Sequence, residues 1–380
     1  MNMGKKFAKS WVTKDVVKSI FKKVLNPLSN ITRWSNKDCS ENKSLRLYTE
    51  LAKQGLNIVI TYFLAKLAKA MGKKIVMERF PWIALNRMFE KTINGNIRDD
   101  HINEICANDE DLKKRYKQKI KQEILQDPNK FKKRMEINEE WTEVKIFKLA
   151  TKIATLIECR ELEIENAESE VLETVKKLAK DLEISFFDEG TEEYKFFCEV
   201  SMLRSSIRWL TQFKAKESSV LEHMAETAII AFLVGLEQSE DEKVALHLFW
   251  CGAFHDLPER WTGDMASNIK DSVEGLREAT EEFERKVMLE HVYQKLPWYD
   301  IKKIMMEEKE NEKYKKLLKS ADYVSAVFEC YRNIKAGSKD KYFFDVIAKE
   351  NERKKSCYTE NFAWLIEDIY NSVPHDGYVD

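Results

Sequence analysis

Glycine and proline are scarce in this chain, 11 and 6 in 380 residues. So few turn formers exclude a fold of many short strands joined by tight turns and favour long helices. The seven cysteines, Cys39, Cys106, Cys159, Cys198, Cys251, Cys330 and Cys357, include no CxxC and no close pair. An odd, dispersed set excludes a disulfide framework and fits reduced thiols in a cytoplasmic protein. Charge of one sign is missing too: 64 basic residues face 65 acidic ones. With a net charge of −1 there is no global field to recruit nucleic acid or an anionic membrane. The basic runs Lys113-Lys114-Arg115 and Lys132-Lys133-Arg134 are interleaved with acidic residues, the pattern of a solvated helical face. No apolar run is long enough to span a bilayer; the longest, within 56–70, is broken by Asn57 and Lys66. The basic stretch 1–16 lacks the apolar core and cleavage site of a secretory signal.

What the chain does have is helical periodicity from end to end. The spacing predicts helices over 16–25, ended by Pro27, then 45–70, 75–89, 141–164 and 167–182. Others follow at 313–336, 342–347 and 362–369, with 270–312 as a charged helical cover and 372–380 as a tail. The expected class is all-α.

The chemistry gathers between 204 and 264. An apolar run, 244–254, delivers His255-Asp256; Glu259 follows four residues later, and Thr262-Gly263-Asp264 makes a turn that re-aims a second carboxylate. Upstream, His223 opens the apolar run 228–234, with Arg208-Trp209 before it. Downstream, Asp322 lies inside an otherwise apolar helical pattern, where a carboxylate is costly unless a cation or hydrogen bonds satisfy it. His247 sits two turns before His255, about 12 Å away, too far to share one ion. His101, His291 and His375 stand in polar contexts and are expected in solvent.

One His, a His-Asp pair and a distant Asp on three predicted helices resemble the HD-domain metal-dependent phosphohydrolases. Arg208-Trp209, Glu259 and Thr262-Gly263-Asp264, over about 200–335, narrow the resemblance to the YfbR-like 5′-deoxynucleotidases. The resemblance implies His223, His255, Asp256 and Asp322 as metal ligands. Two imidazoles and two carboxylates suit a divalent transition ion such as Mn, Co, Fe or Zn. It further implies Glu259 as the proton-moving group beside Asp256, and Arg208 on the phosphate. Trp209 would crowd the sugar, and Asp264 would accept from its 3′-hydroxyl. The expected activity is hydrolysis of (deoxy)nucleoside 5′-monophosphates, with a small-molecule nucleotide as partner and neither membrane nor nucleic acid. Two alternatives stay open: hydrolysis of nucleoside triphosphates or (p)ppGpp, and a metal-stabilised helical binding protein.

The halves also resemble each other. Arg33-Trp34 answers Arg208-Trp209 at a separation of 175, Trp82 and Asn94-Gly95-Asn96 answer Trp250 and Thr262-Gly263-Asp264 at 168, and Glu158-Cys159 answers Glu329-Cys330 at 171. Two tandem HD-like domains are expected, 1–188 and 189–380. In the first, Tyr48 stands for His223, Arg87-Met88 for His255-Asp256, Lys91 for Glu259 and Thr151 for Asp322. Arg and Lys are not ordinary ligands, so this copy would be inert. Because the family resembled works as homodimers, the chain would be an intrachain pseudo-dimer, compatible with a monomer. The alternative is an unrelated helical scaffold.

Overall fold

The computed structural model describes residues 12–34, 45–95, 102, 104–107, 109–124, 130–184, 189–239, 241–265, 267–270 and 272–374. The protein is all-α. Its longer helices are α1 Lys14–Ile20, α2 Glu50–Ala70, α3 Arg79–Asn94, α4 Glu110–Ile124, α5 Thr142–Glu161, α6 Glu165–Asp181 and α7 Glu192–Ser201. The order continues with α8 Val220–Gln238, α9 Glu242–Phe254, α10 Leu276–Met288, α11 Ile301–Glu310, α12 Glu312–Lys335, α13 Lys341–Glu352 and α14 Glu360–Ser372. Among the described residues there is no strand; two isolated antiparallel bridges join Thr32 to Thr49 and Ile207 to Ser219. Nor is any described helix long and apolar enough to cross a membrane.

Two helices form the centre. α2 and α8 are buried on nearly every face, their apolar residues enclosed together with a smaller set of polar ones that find partners inside. Each starts on a hydroxyl cap. Thr49 accepts from the Ala52 amide, and Ser219 forms a capping box with Glu222, worth about 1 kcal/mol. The caps also meet, the Thr49 hydroxyl donating to Glu222 at 2.5 Å. Gly55 permits the crossing: a Cβ there would lie 2.5 Å from the Leu221 carbonyl oxygen.

The first helix of each half lies on the other half. Phe21 packs on Phe328, ring centroids 4.0 Å apart, and on Phe362. Phe196 and Phe197 of α7 pack on Phe63 of α2, both at 5.2 Å. The core is consequently continuous across residue 188, the expected domain boundary. Each fully buried Phe contributes about 1.5–3 kcal/mol.

Pro27 does not end the first helix as expected. The backbone widens into a π-turn over Phe21–Leu25, Asn26 donating to the carbonyl of Phe21, and helix resumes over Asn26–Asn30. The wider turn absorbs the ring of Pro27, which in a regular helix clashes with the carbonyl four residues back. Helix α2 begins at Glu50 rather than 45, because Leu45–Leu47 is a 3₁₀ turn and Thr49 caps.

Candidate active site

Side chains from α8, α9, α12 and the segment after α9 converge at one end of α8. Helix α9 crosses α8 so closely that a Cβ on Gly252 would lie 2.8 Å from the Cα of Ala228. That approach brings His255, just past the end of α9, beside His223, with ring centroids 5.3 Å apart. Helix α9 stops at Phe254, since Pro258 has no N–H to offer the Phe254 carbonyl. Glu259 is therefore not one regular turn beyond His255. It opens a short helix, Glu259–Thr262, after a turn in which its amide bonds the Asp256 carbonyl. Gly263 has φ 76°, and Asp264 follows at the exposed rim.

One ligand atom from each of His223, His255 and Asp256 lies within 4.8 Å of the others. Asp322, expected as a fourth ligand, adjoins this set through Oδ1, 3.0 Å from His223 Nε2; its other oxygen accepts from Lys319 at 2.8 Å. The tautomers follow from the partners. His255 Nδ1 lies 2.8 Å from the Gly252 carbonyl, which only accepts, so Nε2 carries the lone pair; Nε2 is buried without a hydrogen bond. His223 Nδ1 lies 3.0 Å from the Ser325 hydroxyl, which itself donates to Glu226. Glu226 is in turn gripped by both terminal nitrogens of Arg332. This chain leaves His223 Nε2 aimed at Asp322 and, at 3.6 Å, at Asp256. A lone pair facing carboxylate oxygens is repulsive unless a proton or a cation lies between them. Burial and Arg208 push this imidazole down, but Asp322 and Glu329 outweigh them and carry it up to about 9. The donor set thus fits a divalent ion. His223, His255 and Asp256 would hold it, with Asp322 alongside.

The carboxylates divide by environment. Burial pushes Asp256 up, yet His255, His223 and Arg208 hold it below the usual range. Burial likewise opposes, and Lys319 and His223 overcome, the ionisation of Asp322, which sits well below that range. Glu259 goes the other way: burial, then the charges of Asp256 and Asp264, raise it well above an ordinary glutamate. Its Oε2 is buried without a partner. Asp264 is raised by desolvation and by Asp256. Carboxyl groups pushed apart in this way are the usual basis for dividing acid and base roles.

Arg208 and Trp209 meet on one residue that sequence reasoning noted only as part of the repeat. Glu329 Oε2 accepts from Arg208 Nε at 3.1 Å and from the Trp209 indole at 2.6 Å, while Oε1 lies 3.3 Å from His223 Nδ1. Burial opposes its ionisation, but Arg208 and His223 hold Glu329 down to about 2. Arg208 also reaches Asp256, at 3.6 Å. The Trp209 ring leans on Tyr342, centroids 5.5 Å apart. The signal was present in sequence: Asp322, Ser325, Glu329 and Arg332 recur at helical spacing along one otherwise apolar face of α12.

Other expectations changed. His291 is half-buried and stacks on Trp261 at 4.8 Å rather than standing in solvent. His247 is engaged with Cys251. His101 and His375 lie outside the described residues.

Residues 195–373 match the model of a family described as 5′-deoxynucleotidase YfbR-like. Among curated relatives, the 5′-deoxynucleotidases of Yersinia pestis (strain Pestoides F) and Yersinia pseudotuberculosis serotype O:3 (strain YPIII) are similar to this chain. Each is 25% identical over 155 residues, 38% of this chain and 76% of the relative. No solved structure matches.

Proposed function

We propose that residues 195–373, which belong to the YfbR-like family and form a hydrolase of the HD phosphohydrolase kind, remove phosphate from (deoxy)nucleoside 5′-monophosphates with the help of one divalent transition ion. The observation that carries this reading is the pairing of a metal-ready cluster with Glu259, whose Oε2 is buried without a hydrogen-bond partner. When bound, the ion would supply Lewis acidity toward a phosphoryl oxygen and a water. The protein's own groups do the rest. Glu259, kept protonated to higher pH than an ordinary glutamate, is suited to exchange a proton with the water or the leaving oxygen. Arg208, held by Glu329 and leaning toward Asp256, offers its remaining N–H groups to a phosphate. Trp209 and Asp264 border the place a sugar would take.

A monophosphate is favoured over a triphosphate or alarmone by the other cations near the motifs. Arg204 pairs with Glu158 and Glu161, Lys214 bonds the Arg208 carbonyl, Lys216 bonds Ser29 and Asn30, Arg260 pairs with Glu199, and Lys319 with Asp322. Each already has a protein partner. A purely structural metal site would not need the Oε2 of Glu259 left without a partner.

The reading extends to the first half as a degenerate copy of the second. In support, Glu158 Oε2 accepts from Arg33 Nε at 2.9 Å and from Trp34 at 3.0 Å, as Glu329 does from Arg208 and Trp209. Trp34 and Trp209 both adopt positive φ, 63° and 58°, and each bridge ties the preceding residue pair to a helix cap. Counting from those caps, Lys53 rather than Tyr48 stands opposite His223. In sequence, 14 residues separate Trp34 from Thr49 and 9 separate Trp209 from Ser219, which shifts the offset.

Phosphate release from a panel of 5′-dNMPs, NMPs, dNTPs and ppGpp with Mn²⁺ or Co²⁺ tests the assignment, wild type beside Asp256→Ala. Release from monophosphates that disappears in the variant is expected. Turnover of triphosphates or ppGpp alone would overturn it.

A further inference from the structure

The first half keeps an arginine, a tryptophan and a glutamate in the arrangement that borders the candidate site of the second, although its described residues include no ligand set to go with them. The two glutamates differ in what their other oxygen does. Glu329 Oε1 faces the His223 ring, whereas Glu158 Oε1 accepts from Arg204 Nη2 at 3.0 Å. Arg204 comes from the second half. Its Nη1 also donates to Glu161 at 2.6 Å, and its guanidinium lies 4.4 Å over the ring of Tyr48. At 2% exposure it is among the largest fully buried side chains of the protein.

Its position in the chain gives this clamp a consequence. Helix α7 lies on the first half, and the chain crosses back to its own half directly after Arg204. Four residues later it presents Arg208 and then Trp209. The connection is short and bonded: the Ser205 amide returns to Met202, the Val220 amide bonds the Ser206 carbonyl, and the Arg208 amide bonds the Ser218 carbonyl. Trp209 then takes a left-handed backbone conformation, which a tryptophan holds only when its surroundings impose it. One end of the segment is fixed by Arg204 on Glu158 and Glu161; the other is fixed by Arg208 and Trp209 on Glu329.

The geometry points to Arg204 as a positioning residue for substrate binding, through which the first half holds the Arg208–Trp209 segment in register. This rests on the nucleotidase reading for what the segment binds, but not for whether the segment is held. The retained Arg33–Trp34–Glu158 frame then has a present use: Arg33 and Trp34 orient Glu158 so that its free oxygen meets Arg204. Displacing a phosphate clamp by about 1 Å is enough to cost on the order of 100-fold in efficiency.

The test compares wild type, Arg204→Lys, Arg204→Met and Glu161→Gln. Glu161→Gln is the milder change, and it keeps the idea testable if Arg204→Met does not fold. KM and kcat are measured separately on 2′-deoxyadenosine and adenosine 5′-monophosphate, Mn²⁺ affinity by calorimetry, and hydrogen exchange by mass spectrometry over 202–219. For Arg204→Met the expected result is a KM raised about tenfold or more and a changed dNMP/NMP ratio. Mn²⁺ affinity should be unchanged, with faster exchange confined to 202–212 and partial recovery in Arg204→Lys. Glu161→Gln should shift the same quantities in the same direction by less. Unchanged KM and unchanged exchange over 202–212 would overturn the proposal, as would exchange rising through α8 and α12 with Mn²⁺ affinity falling in parallel. If the wild type hydrolyses no nucleotide, the functional reading fails, and the exchange pattern alone decides whether Arg204 holds the segment.

Discussion

Arg33, Trp34 and Glu158 in the first half, and Arg208, Trp209 and Glu329 in the second, make nearly the same hydrogen bonds, yet the ground beside them differs. Beside Glu329 stand His223, His255 and Asp256, aimed at a common point. Beside Glu158 stands Lys53, buried among Arg33, Glu50 and Glu158 with Lys91 near. Where Asp322 meets His223, Thr151 accepts from Asn57 at 2.9 Å. The contrast separates two things that are usually found together. A buried Arg–Trp–Glu frame is satisfied by its own charges. A cluster of lone pairs and carboxylates is not self-satisfied and needs a cation. In the first half an ammonium on the chain stands beside the carboxylates, so that no ion is called for.

The largest expected difference is in activity. Asp256→Ala should lower phosphate release on the order of 10³-fold or more, while Arg87→Ala, at the position the proposed repeat sets opposite His255, should leave kcat/KM within about twofold. Steady-state phosphate assays decide it, and comparable losses in both would break the comparison. The arginines should part company next. Arg33→Met leaves Glu50 and Glu158 short of a buried cation and should cost about 3–5 kcal/mol in urea unfolding. Arg208→Met should show chiefly as a raised KM, because Asp256 would keep the ion as a counter-charge and Glu329 keeps the Trp209 indole as a hydrogen-bond partner.

A third difference is one of pH. Burial and Arg33 lower the Lys53 ammonium from 10.5 to about 8, against the pull of Glu50 and Glu158. Below about pH 8 it is charged in both the folded and unfolded chain, and the cost of burying it is present in full. Between about pH 8 and 10.5 the folded protein has lost a proton that the unfolded chain keeps, so this group's contribution to stability rises with pH, by up to about 3 kcal/mol. Unfolding free energies at about pH 7 and about pH 10 should show that rise in the wild type relative to Lys53→Met; a rise of equal size in both would remove Lys53 as its source. The smallest effect concerns the ion. Mn²⁺ at a free concentration about a hundredfold above Kd should stabilise the protein by about 2.7 kcal/mol, with one equivalent bound per chain. A chelator should reverse this, and Asp256→Ala should abolish it. Two equivalents by elemental analysis would mean that the first half also binds metal.

Much of this was legible in the sequence because it is local. Helix-period apolarity marked most of the long helices, and His255, Asp256 and Glu259 were close enough in the chain to be read as one group. The hydroxyl caps at Thr49 and Ser219 were equally local, but the bridges that set Lys53 rather than Tyr48 opposite His223 in the proposed repeat join residues far apart in the chain. Pro27 looked like a helix end because a π-turn leaves no mark in residue type.

By itself the sequence determined the all-α class, because helical periodicity depends on side-chain type and on spacing within one helix; His223, His255, Asp256 and Asp322 became candidates to hold a metal through their order along the chain. The tertiary structure alone decided which of these groups share a charge. Glu329 serves Arg208, Trp209 and His223 at once; Glu158 serves Arg33, Trp34 and, from the other half, Arg204. The reason is physical: a buried carboxylate must find its partners wherever the packing of apolar helix faces leaves them, and that packing is set by contacts far apart in the chain.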